Sequence, residues 1–515
     1  KVLEGETSET LERQLKLFHE RALPDLGRNI KCGNSLVGPD FYETADIASL
    51  DREELLRINP FDWHTEFPEV FQAGGFDAVI GNPPYISFGL RGAQKLEKRL
   101  DRYLRNKYPH SAEYKLSTYA IFINRAIDLL KEKGRLAFIV PDSFLLGRYF
   151  SKLRRYILDT CAISQIILFA KDFWPSGTVG LPVILVLQKA SDKDCRESNL
   201  LTARLCQSPH EIAKGKFEKS YSYQQRYFET VAHSRFRLFF TAFSLRVVKK
   251  IEDSAIPLGE LCDVYSGCIS KFGQSSITSP KKLKKIVIRD KRGNVVYVDN
   301  NAELCWRPLL ASGSEIGRYC INYRGEFIYY HPEEQKRKMY AKSGFEEAKY
   351  AGEKLFLRQT GDSLIATYDD EGYFCLNNMH VISLLPNRRQ YDLKYILGLL
   401  NSNLLNHYYH LVSLELGRAM AQTDIETIEK LPIRRIDFDN SGEKKMHDDL
   451  AALVQRMLDL HKQLAAAKTE YEKSALQRQI AATDRQIDQL VYELYGLTEQ
   501  EIQLVEEASG EVNSG

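Results

Sequence analysis

The residues best suited to chemistry lie in a short stretch, positions 76–85, with the sequence Phe-Asp-Ala-Val-Ile-Gly-Asn-Pro-Pro-Tyr. Its apolar first half predicts a buried strand that ends at the glycine, and Asn82, Pro83, Pro84 and Tyr85 follow as a loop. Two consecutive prolines fix φ and donate no backbone hydrogen bond, so the loop is stiff and its carbonyl groups remain available as acceptors. Asn82 adds a side-chain carbonyl, and Tyr85 adds an aromatic face.

The chemistry that such a loop favours is methylation of an exocyclic amino group on an aromatic ring. The lone pair of that amine is delocalised into the ring, so the nitrogen is a poor nucleophile. The side-chain oxygen of Asn82 and the carbonyl of Pro83 can accept its two N–H hydrogens and draw the nitrogen toward a tetrahedral geometry. Stacking of the ring on Tyr85 contributes roughly 1–3 kcal/mol per base. An isolated Asn-Pro-Pro is more often only a tight turn, but the preceding strand and the tyrosine favour a site.

The loop and its strand resemble a motif of the amino-methyltransferases, specifically the TaqI-type and type IIG restriction–modification adenine methyltransferases. The resemblance extends over nearly the whole chain. It implies that S-adenosylmethionine is the cofactor, that double-stranded DNA is the partner, and that the target adenine is flipped out of the duplex. It also implies direct methyl transfer, without a covalent enzyme intermediate, by four catalytic residues: Asn82, Pro83, Pro84 and Tyr85.

A second aromatic contact to the base is implied by the same resemblance. Residues 173–179, with the sequence Phe-Trp-Pro-Ser-Gly-Thr-Val, resemble the family's loop that presents a ring to the flipped base. Trp174 fits that position best, and Phe173 is the alternative. A packed core aromatic is the other interpretation of this stretch. The resemblance therefore predicts base stacking by Tyr85 together with Trp174 or Phe173.

The expected donor site is incomplete in this sequence. Residues 29–36, Asn-Ile-Lys-Cys-Gly-Asn-Ser-Leu, resemble the family's third motif and predict cofactor binding by Asn34 and Ser35; a plain turn around Asn34 is the alternative. The family's glycine-rich first motif and its acidic ribose ligand do not occur in residues 1–28, and the chain begins at Lys1 within a predicted helix. We therefore expect an N-terminally truncated chain that binds the donor poorly alone, with an N-terminal companion segment or nuclease domain as a further partner.

Strands and helices alternate along the first part of the chain. Strands are predicted at 29–32, 76–80, 135–140, 163–169 and 183–188, and helices at 119–131 and 143–158. This alternation predicts an α/β domain with a mostly parallel sheet, whose ligands bind at the carboxyl ends of the strands. With the resemblance, it predicts a Rossmann-like methyltransferase catalytic domain over residues 1–240.

Two further regions follow the catalytic domain. Residues 241–436 have short apolar runs broken by Gly, Asn and Asp, which predicts an α+β domain. Stretches of this region resemble the TaqI-like target-recognition domain, and they lie at 306–310, 355–359, 395–402 and 431–433. Residues 437–515 have apolar positions at three/four spacing on both sides of Lys468 and Thr469, which predicts a C-terminal helical hairpin.

DNA contacts have to come from local clusters, because the formal net charge is only +2. One basic cluster follows the Pro-Pro-Tyr loop, and a denser one at 281–292 ends in a Gly-Asn turn that predicts a hairpin. A solvated helix face and a merely exposed hairpin are the alternatives. The candidate DNA-binding residues are Arg91, Lys95, Lys98, Lys281, Lys282, Lys284, Lys285 and Arg418.

Composition excludes several other classes of protein. None of the nine cysteines forms a Cys-x-x-Cys pair, and the histidines lack metal-ligand spacing, so we predict reduced thiols, a cytoplasmic location and no metal. No run of about 18 apolar residues occurs, so no membrane span is predicted. Two alternative functions remain open: a non-catalytic DNA-recognition fragment, and a protein glutamine methyltransferase, a class of shorter chains that share the Asn-Pro-Pro-Tyr loop.

Overall fold

The computed structural model describes residues 27, 29–44, 52–88, 96–113, 116–171, 180–413 and 423–513. The chain divides into two compact units, Lys1–Phe240 and Thr241–Gly515, called unit one and unit two below. No helix among the described residues is both long enough and apolar enough to cross a membrane.

Unit one is an α/β unit built around six strands. The strands are β1 (Phe76–Gly81), β2 (Leu130–Pro141), β3 (Cys161–Phe169), β4 (Pro182–Lys189), β5 (Leu200–Cys206) and β6 (Lys219–Gln224). The α-helices are α1 (Phe41–Thr44), α2 (Arg52–Ile58), α3 (Trp63–Glu66), α4 (Pro68–Gln72), α5 (Lys98–Lys107), α6 (Thr118–Leu129), α7 (Ser143–Leu146), α8 (Ser151–Thr160), α9 (Lys193–Glu197), α10 (Pro209–Ala213) and α11 (Tyr227–Thr230). Two 3-10 turns lie at Arg148–Phe150 and Ala232–Ser234.

The sheet of unit one is mixed. Its strand order is β1-β2-β4-β3-β5-β6. The pairs β1–β2 and β3–β5 are parallel, whereas β4 is antiparallel to both β2 and β3, and β6 is antiparallel to β5. The prediction of a mostly parallel sheet is therefore wrong for the described residues. Apolar patterning reports burial and not direction, so it predicted a strand at 183–188 without its reversal.

Strand β1 lies at the edge of this sheet. Among the described residues it pairs only with β2, and Ile80 is 85% exposed. The strand itself was predicted, but its burial was not predicted correctly, because an apolar run does not reveal how many neighbours a strand has. Helix α6 packs against β2, and its residues Ala120, Ile121 and Ile123 are buried.

Two glycines explain where predicted boundaries differ from the structure. Strand β2 begins at Leu130, before the expected end of the helix at 131, and it includes Gly134 in a bulge where a Cβ would come within 2.8 Å of the carbonyl oxygens of Lys131 and Phe76. The helix expected at 143–158 is divided into α7, a 3-10 turn and α8, because the backbone of Gly147 is extended (φ −55°, ψ 130°).

The strand expected at 29–32 is absent from the described residues. Residues 30–32 have no regular secondary structure, and Asn34, just after them, makes only an isolated bridge to Pro60. The Asn34 side chain accepts a hydrogen bond from the Leu36 N–H at 3.3 Å, which is the geometry of an Asx turn. A residue that hydrogen-bonds its own backbone competes with strand pairing, so the turn prevails.

Unit two is rich in short strands up to residue 434 and helical after it. Its strands are β7 (Ala255–Pro257), β8 (Cys262–Ser266), β9 (Ile269–Ser270), β10 (Thr278–Ser279), β11 (Ile286–Arg289), β12 (Val295–Asp299), β13 (Trp306–Leu310), β14 (Ile316–Gly317), β15 (Cys320–Ile321), β16 (Phe327–Tyr329), β17 (Ala341–Ser343), β18 (Lys354–Arg358), β19 (Ala366–Asp369), β20 (Phe374–Cys375), β21 (Met379–Leu384) and β22 (Pro432–Arg434). Its α-helices are α12 (Ala242–Asp253), α13 (Glu334–Tyr340), α14 (Leu393–Asn401), α15 (Asn403–Ser413), α16 (Ile425–Glu429), α17 (Ser441–Ala466), α18 (Glu470–Leu494) and α19 (Glu499–Asn513).

Two four-stranded sheets form the centre of unit two, in the orders β10-β16-β13-β20 and β19-β18-β21-β8. A buried ion pair, Lys354 with Asp369 at 2.5 Å, joins β18 to β19. Helix α14 packs against helix α17, where the absence of a side chain at Gly398 admits Val454 and Leu450. The long helices α17 and α18 pack together across a turn at which Thr469 forms a capping box with Glu472, as the predicted turn requires.

Candidate active site

The candidate active site is the loop at the carboxyl end of β1. Asn82 is exposed, Pro83 is buried, Pro84 is exposed and Tyr85 is half-buried. Gly81, just before the loop, has the Phe138 ring so close that a Cβ would lie 3.2 Å from it. The glycine therefore lets β1 and β2 stay paired up to the point where the loop begins.

Two oxygen atoms of the loop are available as acceptors. The Asn82 side chain and the Pro83 carbonyl have no hydrogen-bond partner among the described residues. The Pro84 carbonyl differs, because it accepts a hydrogen bond from the Thr118 hydroxyl. The carbonyls of the two prolines therefore differ. The Pro83 carbonyl, which is the one predicted to accept from the target amine, has no partner among the described residues.

The Tyr85 ring is fixed at both its edge and its hydroxyl. The hydroxyl donates to the Ile139 carbonyl in β2 at 3.0 Å, and the ring meets Tyr119 edge to face at 6.2 Å between centroids. Burial raises the pKa of Tyr85 to about 12, so the phenol is neutral at physiological pH. Tyr119 is buried, packs against Phe150 at 5.6 Å, and its hydroxyl lies 3.1 Å from Ser143 Oγ. A ring held in this way can offer a flat surface to a base without reorganising.

The sheet topology brings other chain ends to the same edge as Asn82. Because β1, β2, β3 and β5 run in one direction, their carboxyl ends lie on one side, together with the start of the reversed strand β4. Residues 170–171 and 180–181 therefore lie at this edge. The predicted stacking residues Phe173 and Trp174 lie outside the described residues, so their role stays a prediction.

The predicted cofactor residues Asn34 and Ser35 lie in the turn that precedes α1. Their backbone is fixed by hydrogen bonds from the Asn34 N–H to the Asn59 carbonyl at 2.6 Å and from Trp63 Nε1 to the Ser35 carbonyl at 3.1 Å. The Asn34 oxygen accepts the Leu36 N–H, so the side-chain NH₂ group is the part that remains for a ligand.

The basic cluster after the loop has mixed surroundings. Lys98 is the first residue of α5 and is exposed, whereas Arg91 and Lys95 lie outside the described residues. Arg105 is bound to Asp101 and to the Glu113 carbonyl, and Lys107 forms an ion pair with Asp40 at 2.6 Å. This helix therefore uses part of its charge within the protein. Arg418 lies outside the described residues.

The second basic cluster forms the hairpin that the sequence predicts. Strands β11 and β12 are antiparallel, and Asp290 caps the turn by accepting hydrogen bonds from the N–H groups of Arg292 and Asn294. The lysines just before β11 are all exposed, and they are Lys281, Lys282, Lys284 and Lys285. DNA binding by these lysines stays a prediction.

Sequence reasoning missed basic residues that the fold brings next to this hairpin. Strand β9 pairs with β17, the 3-10 turn Gln274–Ser276 packs against β9, β10 and β11, and helix α13 packs against β12 and β17. We call segments 269–299 and 333–343 the basic face. They hold twelve Lys and Arg against four Asp and Glu, a net charge of +8 in a chain of net +2. The exposed residues not foreseen are Lys271, Lys338 and Lys342.

One group of possible metal ligands is close together among the described residues. Ligand atoms of Asp299, Cys305 and His331 lie within 4.8 Å of one another. However, His331 Nδ1 accepts the N–H of Glu333 at 3.1 Å, and the Lys336 ammonium lies 3.4 Å from Nε2, the other ring nitrogen. Nδ1 is therefore already engaged, and a metal ion at Nε2 would be repelled by the positive charge of the ammonium. The prediction of no metal stays a prediction.

Comparison with known proteins matches both units of the chain. Residues 6–174 match the family described as Eco57I restriction-modification methylase, and residues 307–433 match the TaqI-like C-terminal specificity domain. The type II restriction enzyme and methyltransferase RM.Eco57I of Escherichia coli is 24% identical over 96% of this chain and 52% of its own length. The type II methyltransferase M.HindII of Haemophilus influenzae is 22% identical over 78% of this chain and 82% of its own length.

The solved structures give a more distant likeness. The type IIL restriction-modification enzyme MmeI in complex with DNA is 12% identical, with a TM-score of 0.49 over 87% of this chain and 59% of that one. The chain spans 52% of RM.Eco57I and 29% of a putative type II restriction enzyme and methyltransferase of Methanocaldococcus jannaschii. On these matches, residues 6–174 belong to the Eco57I restriction-modification methylase family and residues 307–433 to the TaqI-like C-terminal specificity domains, an arrangement similar to that of type II restriction–modification methyltransferases.

Proposed function

We propose that the protein to which this chain belongs methylates the N6 amino group of adenine at a specific DNA sequence, as part of a restriction–modification system. One observation carries the proposal: the Asn82 side chain and the Pro83 carbonyl, two acceptors without a partner among the described residues, belong to the same loop as the fixed ring of Tyr85. An exocyclic amino group has two N–H hydrogens and sits on a flat ring. The loop therefore matches such a group in both the number of acceptors and shape.

The residues of this chain act on the amine and not on the methyl group. When Asn82 and Pro83 accept the two N–H hydrogens, electron density stays on the nitrogen, whose lone pair can then point at the methyl carbon. The Pro83 carbonyl belongs to a backbone that two proline rings restrain, so little energy is lost in aligning its dipole during the reaction. The proton that the amine loses can pass to solvent after transfer. A base inside a duplex cannot reach this loop, so we propose that the adenine is flipped out of the stack.

We propose S-adenosylmethionine as the donor, which supplies an electrophilic methyl group. The NH₂ group of Asn34 can donate to a ring nitrogen of the donor's adenine, which is an acceptor, and this fits the predicted role of that residue. Among the described residues, we assign only this contact with the adenine of the donor. We propose that a companion segment supplies the rest. The edge of β1, which pairs only with β2 among the described residues and exposes Ile80, is a surface against which further chain could pack.

DNA is the proposed partner of the basic face of unit two. Flipping a base costs a few kcal/mol, which contacts elsewhere on the DNA must offset. A surface of net charge +8 binds the phosphate backbone by releasing counterions, with an affinity that falls steeply as salt rises. The lysines at 281–285 and those on β17 and α13 are the proposed phosphate contacts. Relatives whose names include methyltransferase and restriction enzyme support this assignment.

Replacing Asn82 in the full-length natural protein tests the proposal. The reaction is followed by transfer of a labelled methyl group to DNA, and the product is identified as N6-methyladenine after nuclease digestion. Asn82→Ala removes one acceptor and should lower the methylation rate by roughly a hundredfold or more, with specific DNA binding retained. Asn82→Asp keeps an oxygen acceptor and should retain more activity than the alanine variant. The exposed Asn387, in unit two, serves as the matched control when replaced by alanine.

Two results would contradict the proposal in different ways. Transfer of the label to a protein and not to DNA would favour a glutamine methyltransferase. Sequence-specific DNA binding with no transfer by the full-length protein would favour a non-catalytic recognition module.

A further inference from the structure

We propose that Thr118 is a positioning residue that locks the Pro-Pro-Tyr loop and decides which proline carbonyl faces the target amine. The inference rests on the proposed function and deepens it. Thr118 lies 34 residues from Pro84 in the sequence, and its hydroxyl donates to the Pro84 carbonyl. The same hydroxyl accepts the Ile86 N–H at 3.0 Å, and the Thr118 N–H donates to the Ile86 carbonyl at 2.9 Å.

These contacts are the end of a short antiparallel ladder. Ser87 pairs with Ser117 in an isolated bridge, and the Phe88 N–H donates to the Leu116 carbonyl at 2.8 Å. The chain on the far side of the catalytic loop is therefore bound to the segment that leads into α6. Thr118 is the last member of this ladder, and its partner Ile86 is the paired residue nearest to the loop.

Backbone pairing alone cannot hold the loop, because prolines have no N–H. Between Asn82 and Ile86 only three residues carry an N–H group, so the loop has few donors with which to pair. A side-chain hydroxyl, which both donates and accepts, is suited to bind an acceptor at Pro84 and a donor at Ile86 together. The Pro84 carbonyl is bound by Thr118, whereas the Pro83 carbonyl has no partner among the described residues and is the one that we assign to the substrate.

The same helix end also supports the stacking ring. Tyr119, the residue after Thr118, is 4% exposed and meets Tyr85 edge to face. Most of the residues that follow it in α6, beginning with Ala120 and Ile121, are buried in unit one. One rigid helix start therefore sets both the carbonyl positions and the tilt of the Tyr85 ring. A displacement of about 1 Å at a reacting group can cost on the order of a hundredfold in rate.

Thr118→Val in the full-length protein tests the inference. Valine keeps the shape of threonine but has no hydroxyl, and it leaves the backbone bond to Ile86 intact. We expect kcat for DNA methylation to fall roughly tenfold to a hundredfold, while KM for DNA and for S-adenosylmethionine stays within about twofold. Thr118→Ser restores the hydroxyl and should recover most of kcat. Thr160→Val is the matched control, because the Thr160 hydroxyl donates to the Tyr156 carbonyl at the end of α8.

Hydrogen exchange at the Ile86 amide gives a readout that does not depend on turnover. Its N–H binds the Thr118 hydroxyl, so exchange should speed up in Thr118→Val and remain slow in Thr118→Ser. Unchanged exchange and unchanged kcat in the valine variant would overturn the inference. If the wild-type protein does not methylate DNA, the proposed function fails, and the exchange measurement still decides whether Thr118 fixes the loop. If the valine variant does not fold, a serine variant with wild-type exchange and kcat supports the role of the hydroxyl, and one with fast exchange overturns it.

Discussion

Replacing Arg154 tests whether a buried cation fixes the segment that follows β2. Its side chain is fully buried, and its guanidinium donates to four backbone carbonyls, those of Phe144, Gly147, His233 and Ser234, at 2.7 to 3.0 Å. His233 and Ser234 have positive φ angles of 59° and 49°, a backbone conformation that residues other than glycine adopt at a cost of about 1–3 kcal/mol each. The arginine is therefore expected to stabilise an otherwise unfavourable backbone at His233 and Ser234.

The magnitude follows from the number of contacts. A hydrogen bond to a charged group contributes about 1.5–3 kcal/mol, so four give a gross value near 6–12 kcal/mol, from which the cost of burying the charge must be subtracted. Burial lowers the pKa of Arg154 to about 9, and the group is still charged at neutral pH. Removing one partner of a buried charged network typically costs about 3–5 kcal/mol. We expect Arg154→Ala to reduce the free energy of unfolding of unit one by that amount.

The neighbouring residue provides a matched control. Arg155 is 55% exposed and forms an ion pair with Asp159 within α8, so Arg155→Ala should cost less than about 1 kcal/mol. Hydrogen exchange of amides in β2 and β4 reports the opening free energy of unit one without assuming that both units unfold together. A loss in Arg154→Ala no larger than that in Arg155→Ala would refute the reasoning, because it would mean that water replaces the guanidinium without penalty.

Three further predictions concern unit two. Changing the four lysines just before β11 (Lys281, Lys282, Lys284 and Lys285) to glutamine should reduce the steepness of log affinity against log salt by about 3.6, at about 0.9 per phosphate contact. The measurement is DNA binding at several salt concentrations, and an unchanged slope would exclude these lysines from the interface. Burial raises the pKa of Asp488 from 3.8 to about 7, so the folded state holds an extra proton between those values and stability should fall as pH rises from 4 to 7; Asp488→Asn should flatten that profile in unfolding measurements. Gly398→Ala places a Cβ 2.9 Å from Val454 Cγ2, so its steric cost of about 1–3 kcal/mol should exceed the helix-propensity gain of about 1 kcal/mol, and Val454→Ala should restore part of the loss in thermal unfolding.

The local chemistry of the site could be predicted from the sequence because it is contiguous. Residues 76–85 contain the strand, the glycine and the loop, and the structure places them at β1 and its carboxyl end. Helix α6 was predicted within two residues at each end, because its apolar spacing is dense. The turn at Lys468 and Thr469 was predicted because the apolar spacing of each helix is local and restarts there, and the structure adds a capping box between Thr469 and Glu472.

The parts that could not be predicted depend on long-range pairing. Thr118 has no distinguishing feature in the sequence, since its partners lie 32 and 34 residues away. Lys338 and Lys342 lie 39 and 43 positions after Asp299, the end of the hairpin that they adjoin through β17 and α13, so a short window of sequence does not show that their charges join one cluster. The direction of β4 is likewise set by its neighbours and not by its own apolar residues.

The reversal of β4 has a consequence for the continuity of the chain. Strand β3 ends and β4 begins at one edge, and the two strands are joined along their length from Cys161↔Lys189 to Leu168↔Val183. A single proteolytic cut between Lys171 and Gly180 would thus leave the two fragments bound to each other. Strand β4 of the second fragment lies between β2 and β3 of the first, and β3 also pairs with β5 of the second. New termini created there, as in a circular permutant or a gene divided at this point, should assemble into the same sheet when the two pieces are produced together.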